Sequence, residues 1–596
     1  MKRNHWNIIF SLVTIALLGG VMWAIHDRFI PIQEGWMQYY ILLMTKKGLL
    51  PYKDFYYFTQ PIPLFIVQLI SKFGDGYLLY RYYGMIERVV LVLALYYLIA
   101  KHFSPTATFI AVVTSAFLYQ SFSIDIFYTY YQTTLFFFLL SLISLEYGRG
   151  SRHQWLYDIL VGVFSSLAFF TKQSNGLLIS IFMIFMINWY TPKKHLLRRT
   201  SSFLIGWAIP ASAIAIWMIK YNLFPQFLSQ VFGGASAKGS ILSILFGFWW
   251  RDLALFYLSM FVMSSLILFL LWRTKLINIK VEVSPIPLPS FTNYLLPCSF
   301  LLFIMGGFLI PLSNTTATLT NLFGGLYTSL WLYFTFYILT IVTVIISIKW
   351  ISRNQLPFTK PIAELFLASF IWTYSTGLSG QLDVYGVLLG TALILAFLID
   401  YIRLNSRYYM LLLVLGSCLI LFVSAAKKHQ IPYDWWGWAE YGHSENVTSV
   451  IPAFKDFKLS ANTAKIYDKI YVDIEDNTKI NDDVYTYPYM TMFNYVTDRI
   501  QPTFSPVAYF DVCPDSVAIA DAIKLKENPP KMIIYMQIPE PDYKLHEEIF
   551  RNGARSGQRN IDATIKYIVE KYNYEKIDFF TSPEWNWPIY VWLKPQ

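Results

Sequence analysis

The chain has 596 residues, of which 56% are hydrophobic and only 14% charged. A soluble domain carries about a quarter charged residues, so the composition excludes an ordinary soluble globule. The formal net charge of +10 does not point to nucleic acid, because the basic residues sit in short connections between apolar runs and no Arg-rich arm or RNA-binding motif is present.

The first apolar run, about 8–25, follows Met1-Lys2-Arg3. It has no small-residue cleavage site before Asp27, which makes it a retained helix rather than a signal peptide. Apolar runs of roughly 18–22 residues then recur to about residue 425, each long enough to cross the hydrocarbon core. Hydropathy and loop charge together predict about thirteen spans: 8–25, 77–100, 105–121, 132–147, 156–171, 175–190, 202–220, 253–272, 293–312, 326–348, 362–376, 384–400 and 408–425. The apolar stretch 61–73 is too short to span and is expected to lie at the interface.

With the N-terminus in the cytoplasm, the inner connections hold Lys101, Arg149, Arg152, Lys193, Lys194, Arg198, Arg199, Arg273, Lys349 and Arg403. The outer connections near 122–131, 313–324 and 377–383 hold no Lys or Arg, as the positive-inside rule requires. An odd number of spans places the C-terminal tail outside. The long connections, 26–76 and 221–252, fall on the same face. The second contains "FGGASAKGS" and reads as a mobile loop able to gate a cleft.

After residue 425 the composition turns polar and aromatic, which divides the chain into a transmembrane unit, 1–425, and an extracytoplasmic α/β domain, 426–596. "DDVYTYPY", "KMIIYMQI", "KIDFFTS" and "IYVWLKP" read as strands and "IDATIKYIVEKY" as a helix. The tail has no Gly-rich phosphate loop, no metal-spaced His/Cys cluster and no nucleophile elbow. Cys298 and Cys418 fall inside apolar runs and Cys513 stands alone in the tail, so no disulfide framework follows.

Charged groups at or just outside membrane depth mark functional sites. On the outer side these include Glu34, Asp54, Arg81, Glu87, Arg88, Asp125 and Lys172. Glu34-Gly35 ends the first span and is followed by Gly48, Pro51, Tyr52 and Asp54, then by Pro61 and Pro63. This segment resembles the membrane glycosyltransferases of the GT-C fold, the group of the protein O-mannosyltransferases and the lipid A aminoarabinose transferases. Specific matching covers about residues 30–90, and the helix number and external C-terminal domain extend the resemblance along the chain. One departure stands out: the family often carries an Asp-Glu pair, and here the first position is Gln33.

The resemblance implies a sugar donor linked to a polyprenyl phosphate, with its lipid tail in the bilayer, and transfer to a cell-envelope acceptor. Glu34 is then expected as general base for the acceptor hydroxyl, with Asp54 as a second acid or an ordinary loop acid. The phosphate leaving group calls for positive charge. Lys172, in "FFTKQSNGLL", answers that call and Arg81 is expected to join it; the alternative account of the lysine is a snorkelling helix end. Glu87 and Arg88 read as a buried pair that fixes helix packing. Asp125 and Tyr128, in a tyrosine-rich outer connection, and Gln173 are candidates for sugar or acceptor contacts. No cofactor is expected and no divalent metal is indicated; the partners are the lipid-linked donor, membrane lipids and a glycan, lipid or protein acceptor, with no nucleic acid. A transporter or flippase of lipid-linked sugars, or a non-catalytic envelope assembly protein, is the alternative. A transporter should show internal repeats and broken midplane helices, and the sequence shows no repeat.

Overall fold

The computed structural model describes residues 2–74, 76–118, 129–189, 191–236, 246, 252–273, 282–283, 317–352, 359–378, 384–403, 447, 449–510, 512–551, 553–583 and 585–595. These residues are mostly helical, with a small mixed sheet near the C-terminus. The helices in chain order are α1 (Lys2–Trp23), α2 (Trp36–Thr45), α3 (Pro61–Ser71), α4 (Tyr77–Ala100), α5 (Pro105–Leu118), α6 (Thr129–Gly148), α7 (Gln154–Phe169), α8 (Gln173–Trp189), α9 (Lys193–Lys220), α10 (Phe224–Ser236), α11 (Asp252–Arg273), α12 (Ala317–Ile351), α13 (Lys360–Gly377) and α14 (Val384–Tyr401).

Among the described residues four helices are long and apolar enough to cross a membrane: Arg3–Trp23, Tyr77–Ala100, Lys194–Lys220 and Leu332–Ile351. Shorter apolar helices accompany them, and the molecule is a membrane protein by this composition. Two expected spans, 293–312 and 408–425, lie outside the described residues. The stretch expected at the interface is α3, which begins on Pro61, where a missing N–H costs nothing.

Two expectations about connections change. The run 221–252 is not loop from its start, because α10 occupies Phe224–Ser236. Its apolar and polar residues alternate with a helical period, which the Gly233-Gly234 pair near its end obscures in the sequence. The connection at 313–324 is entered by α12, whose 35 residues make a helix of roughly 50 Å, longer than the hydrocarbon core alone requires.

Neighbouring helices close a ring: α5 packs on α14, α14 on α13, α13 on α8, α8 on α7, α7 on α6, α6 on α4, and α4 back on α5. Helix α9 lies against the outside of α7. There a Cβ on Gly162 would stand 2.1 Å from the Phe203 carbonyl oxygen, and one on Gly206 would stand 2.0 Å from that of Ile159. Small residues on both helices are what allow this close approach. Asp158 and Arg199 add a buried bidentate pair across the same contact, at 2.7 and 2.9 Å.

The C-terminal region contains α15 (Ala461–Asn477), β3 (Val484–Tyr487), α16 (Thr491–Thr497), α17 (Asp515–Glu527), β4 (Met532–Met536), α18 (Glu540–Arg551), α19 (Gln558–Lys571), β5 (Glu575–Thr581) and β6 (Pro588–Leu593). The sheet order is β3-β4-β6-β5. The β3–β4 pairing is parallel, and β6 runs antiparallel to both β4 and β5. All four strands and the helix read from the tail sequence are present. A short two-stranded ladder, β1 (Glu282–Val283) with β2 (Ile402–Arg403), completes the described sheet structure.

The apolar side chains form two cores. One fills the helical ring. The other joins residues 30–80 and the 207–231 region to the C-terminal sheet and its helices. The first long connection therefore packs as part of the C-terminal domain's core, although more than 350 residues separate them in sequence.

Candidate functional site

The segment from Asp27 to Gln60 is clasped from above by the C-terminal domain. The Phe29 N–H donates to the Lys458 carbonyl at 3.1 Å, and the Lys458 N–H donates to Asp27 at 2.6 Å. Tyr467 Oη donates to the Ile30 carbonyl at 3.0 Å. Tyr39 Oη accepts from the Gln501 N–H at 2.8 Å, and the Tyr56 N–H donates to the Phe504 carbonyl at 2.8 Å. Lys47 pairs with Asp498 at 3.1 Å.

Glu34 lies in the turn that leads into α2. Gly35 follows at φ +103°, a conformation in which a side chain is strained. A Cβ there would also stand 2.0 Å from Tyr77 Oη and 2.9 Å from the Met492 Cβ. The Glu-Gly pair of the sequence motif is thus a steric requirement: the C-terminal domain and α4 both close on this glycine.

Glu34 and Arg81 form a bidentate ion pair. Arg81 Nε donates to Oε1 at 3.1 Å and Nη2 to Oε2 at 2.5 Å. Nη2 also donates to the Phe29 carbonyl at 2.9 Å, and the guanidinium lies 5.6 Å from the centre of the Phe457 ring. Both residues are 2% exposed. Arg81, expected as a phosphate ligand, is therefore engaged by Glu34, Phe29 and Phe457.

Asp54 is exposed and closes its own turn. Its Oδ2 accepts from the Leu50 N–H at 2.8 Å, and its N–H donates to the Leu50 carbonyl at 2.9 Å. The turn brings buried Tyr52 into the left-handed region at φ +68°, and Tyr52 Oη donates to the Thr59 carbonyl at 2.8 Å.

Lys172 stands between α7 and α8. The turn is tight because α8 starts against the backbone of α7: a Cβ on Gly176 would lie 2.2 Å from the Phe169 Cα. The Lys172 ammonium lies 3.2 Å from the centre of the Tyr131 ring and 4.8 Å from that of Tyr130, and the residue is half-buried. The motif segment reaches this turn by two routes. The Ile62 N–H donates to the Phe170 carbonyl at 3.1 Å, which sets the start of α3 beside it. Gln230 of α10 accepts from the Tyr57 N–H at 3.0 Å and donates to the Tyr52 carbonyl at 2.6 Å, while Gln173 donates to the neighbouring Val231 carbonyl at 3.2 Å. Asn175 Nδ2 donates to Ser375 Oγ at 2.7 Å, tying the turn to α13. Asp125 and Tyr128 lie outside the described residues.

Two glutamines escaped the sequence reading. Gln60 is 0% exposed and Gln38 1% exposed, and neither the oxygen nor the nitrogen of either amide has a hydrogen-bond partner among the described residues. Such orphaned buried groups are rare and call for a water or a ligand. Gln60 has a visible sequence signal: it precedes Pro61, which drives it into the extended conformation seen at φ −70°, ψ 156°, at the entrance to α3. Among the described residues no group of three or more His, Cys, Asp or Glu side chains is placed to hold a metal ion.

No family model matches the chain, and no curated protein matches it in sequence. Among solved structures the chain is similar to the oligosaccharyltransferase AglB of Archaeoglobus fulgidus in complex with an inhibitory peptide and a dolichol-phosphate. That similarity has 13% identity and a TM-score of 0.47 over 100% of this chain and 74% of that one. It is also similar to ArnT from Cupriavidus metallidurans in the apo state, at 11% identity and a TM-score of 0.43 over 99% and 98%. ArnT bound to undecaprenyl phosphate gives 10% identity and a TM-score of 0.41 over 98% of both. AglB and ArnT are GT-C glycosyltransferases; at these scores the likeness assigns no role to any residue here.

Proposed function

We propose that the chain is a GT-C membrane glycosyltransferase that takes a sugar from a polyprenyl-phosphate donor and transfers it to an envelope acceptor at the outer face. One observation carries this reading: the motif segment is fastened, through Ile62–Phe170 and through Gln230, Val231 and Gln173, to the turn that holds Lys172. A cation on aromatic rings at the end of the helical ring is the charge a departing lipid phosphate needs. Gln60, at the start of α3, adds an unpartnered side-chain amide to the same segment.

In this reading Glu34 takes the acceptor's proton only by exchanging one Arg81 N–H for the acceptor hydroxyl. A second reading is favoured by the bidentate geometry itself: the pair is an organiser, and the exposed Asp54 is the base. Transfer assays on membranes with labelled polyprenyl-phosphate sugars separate the two. General-base assistance contributes about 10²–10⁴ in rate; Glu34→Gln also strands the buried Arg81 charge, so the deciding variant is Asp54→Asn, which should stay active if Glu34 is the base. The reverse result moves the base to Asp54. Two active variants would set aside transfer with carboxylate base catalysis. Lys172→Ala should weaken donor use, and an unchanged dependence on donor concentration removes Lys172 from the site.

The same reading puts the C-terminal domain outside the cell. Ile480 is 56% exposed, so Ile480→Cys should react with an impermeant thiol reagent in intact cells. Reaction only after lysis overturns the odd-span topology.

A further inference from the structure

Helix α9 calibrates depth in the membrane. Its 28 residues extend for about 40 Å, longer than a hydrocarbon core of about 30 Å. Lys193, Lys194, Arg198 and Arg199 lie at one end, and Lys220 lies at the other with its ammonium 5.3 Å from the Tyr221 ring centre. Basic and aromatic residues at a helix end mark the boundary between lipid and water. Between these ends Leu204, Ile205, Ile209, Ile216 and Ile219 are exposed, which makes this face of α9 a lipid-facing surface.

Helix α10 starts at Phe224, directly beyond that boundary. Asn222 turns the chain at φ +54°, and the Leu223 N–H donates to the Met218 carbonyl at 2.8 Å. Successive helical residues turn by about 100°, and this sorts the side chains of α10 into three arcs. Phe227 and Val231, 4% and 3% exposed, face the protein, where Phe227 meets the Tyr52 ring at 5.3 Å. Gln226 and Ser229 are exposed on a polar arc. Phe224, Leu228 and Phe232, at 46%, 42% and 39% exposure, form a separate apolar stripe on the surface. An exposed stripe of this kind, continuous with a lipid-facing span and level with its end, suits the acyl-chain boundary.

We infer that α10 is a membrane-surface helix whose Phe224, Leu228 and Phe232 stripe seats in the lipid of the adjoining leaflet. The helix joins two things that must stay in register. Its apolar stripe holds the bilayer, and its Gln230 side chain and Val231 carbonyl hold the 52–57 segment and Gln173, next to Lys172. The depth of the lipid surface is thereby fixed relative to the Lys172 turn. This inference rests on the membrane reading alone and stands or falls independently of sugar transfer.

Photo-crosslinking tests it in the full chain reconstituted in phospholipid vesicles. p-Benzoylphenylalanine is placed singly at Phe224, Leu228 and Phe232, and at Gln226 and Ser229 as controls; every position is exposed, so the fold is retained, and the thermal transition confirms this for each variant. Irradiation should give phospholipid adducts at 224, 228 and 232 and none above background at 226 and 229. Lipid adducts at similar yield on both arcs, no lipid adduct on the stripe, or protein adducts there from a second copy would each overturn the proposal.

Discussion

The helical ring and the outer core differ in where their buried polar groups find partners. In the ring the hydroxyls find partners in their own or the adjacent ring helix: Ser144 donates to the Leu140 carbonyl at 2.7 Å, Ser369 to Leu365 at 2.7 Å and Thr373 to Gly386 at 2.6 Å, and Ser375 accepts from Asn175 at 2.7 Å. In the outer core the partners come from far along the chain, as in Tyr467 with Ile30, Gln501 with Tyr39 and Arg81 with Glu34. Satisfaction within the ring's own helices makes it robust to change elsewhere. Long-range satisfaction makes the outer core a single assembly, in which the motif segment has its shape only while the C-terminal domain is docked on it.

The largest expected effect comes from dividing the Glu34–Arg81 pair. Removing one partner leaves a buried charge without its counterion, which costs about 3–5 kcal/mol. Glu34→Ala and Arg81→Ala should each loosen the outer core by that amount, and the double variant should lose much less than the sum. Hydrogen exchange read separately on α5, α6 and α13 and on α2, α15 and β3 locates the loss. Equal loosening of ring and outer core would erase the distinction drawn between them.

Next in size is Gly35→Ala. The left-handed backbone, with contacts to Tyr77 Oη and Met492 that a methyl group would overlap, makes a cost of about 1–3 kcal/mol the expectation. The loss should again appear at the docking surface, with α16 more exchangeable and the ring unchanged. A thermally neutral Gly35→Ala would mean that the domain does not press on this turn.

The same difference explains what could be read in the sequence. Helices such as α4 and α9 follow from hydropathy and basic flanks because an apolar run of spanning length is legible whatever it packs against. The tail strands follow from their alternation and turn residues. The first connection stands out through Glu34-Gly35, Asp54 and the Pro61–Pro63 pair, and the apolar residues around them belong to one core. The engagement of Arg81 by Glu34 could not be read, because no local period links residues 34 and 81. Nor could the three-sided character of α10, because the Gly233-Gly234 pair within the helix reads as loop. Gln60 passed unnoticed because an uncharged side chain carries no signal until its burial is known.

The smallest expected effect sharpens the comparison through pH. Asp521, on α17, accepts the Phe504 N–H at 2.7 Å and the Ser505 N–H at 2.9 Å, and Phe504 in turn accepts from Tyr56 of the motif segment. Burial pushes the Asp521 carboxyl up to about 6 from 3.8, against the pull of those two N–H groups. The folded state thus binds this proton more tightly than the unfolded chain. Its contribution is complete below about pH 4 and is lost as pH rises through about 6. Glu547 acts in the opposite direction: hydrogen bonds from Arg559 hold it down at about 2, so its contribution is present above about pH 4.5 and is lost on further acidification. The outer core should therefore gain about 1–2 kcal/mol between pH 7 and pH 5, seen as a higher thermal midpoint. Asp521→Asn should remove its share of that slope, leaving the share of Asp473, which burial also pushes up to about 6, and the decline on acidification to which Glu547 contributes. A variant with the wild-type slope would place the proton elsewhere and detach the 504–505 loop from the pH response of the motif segment.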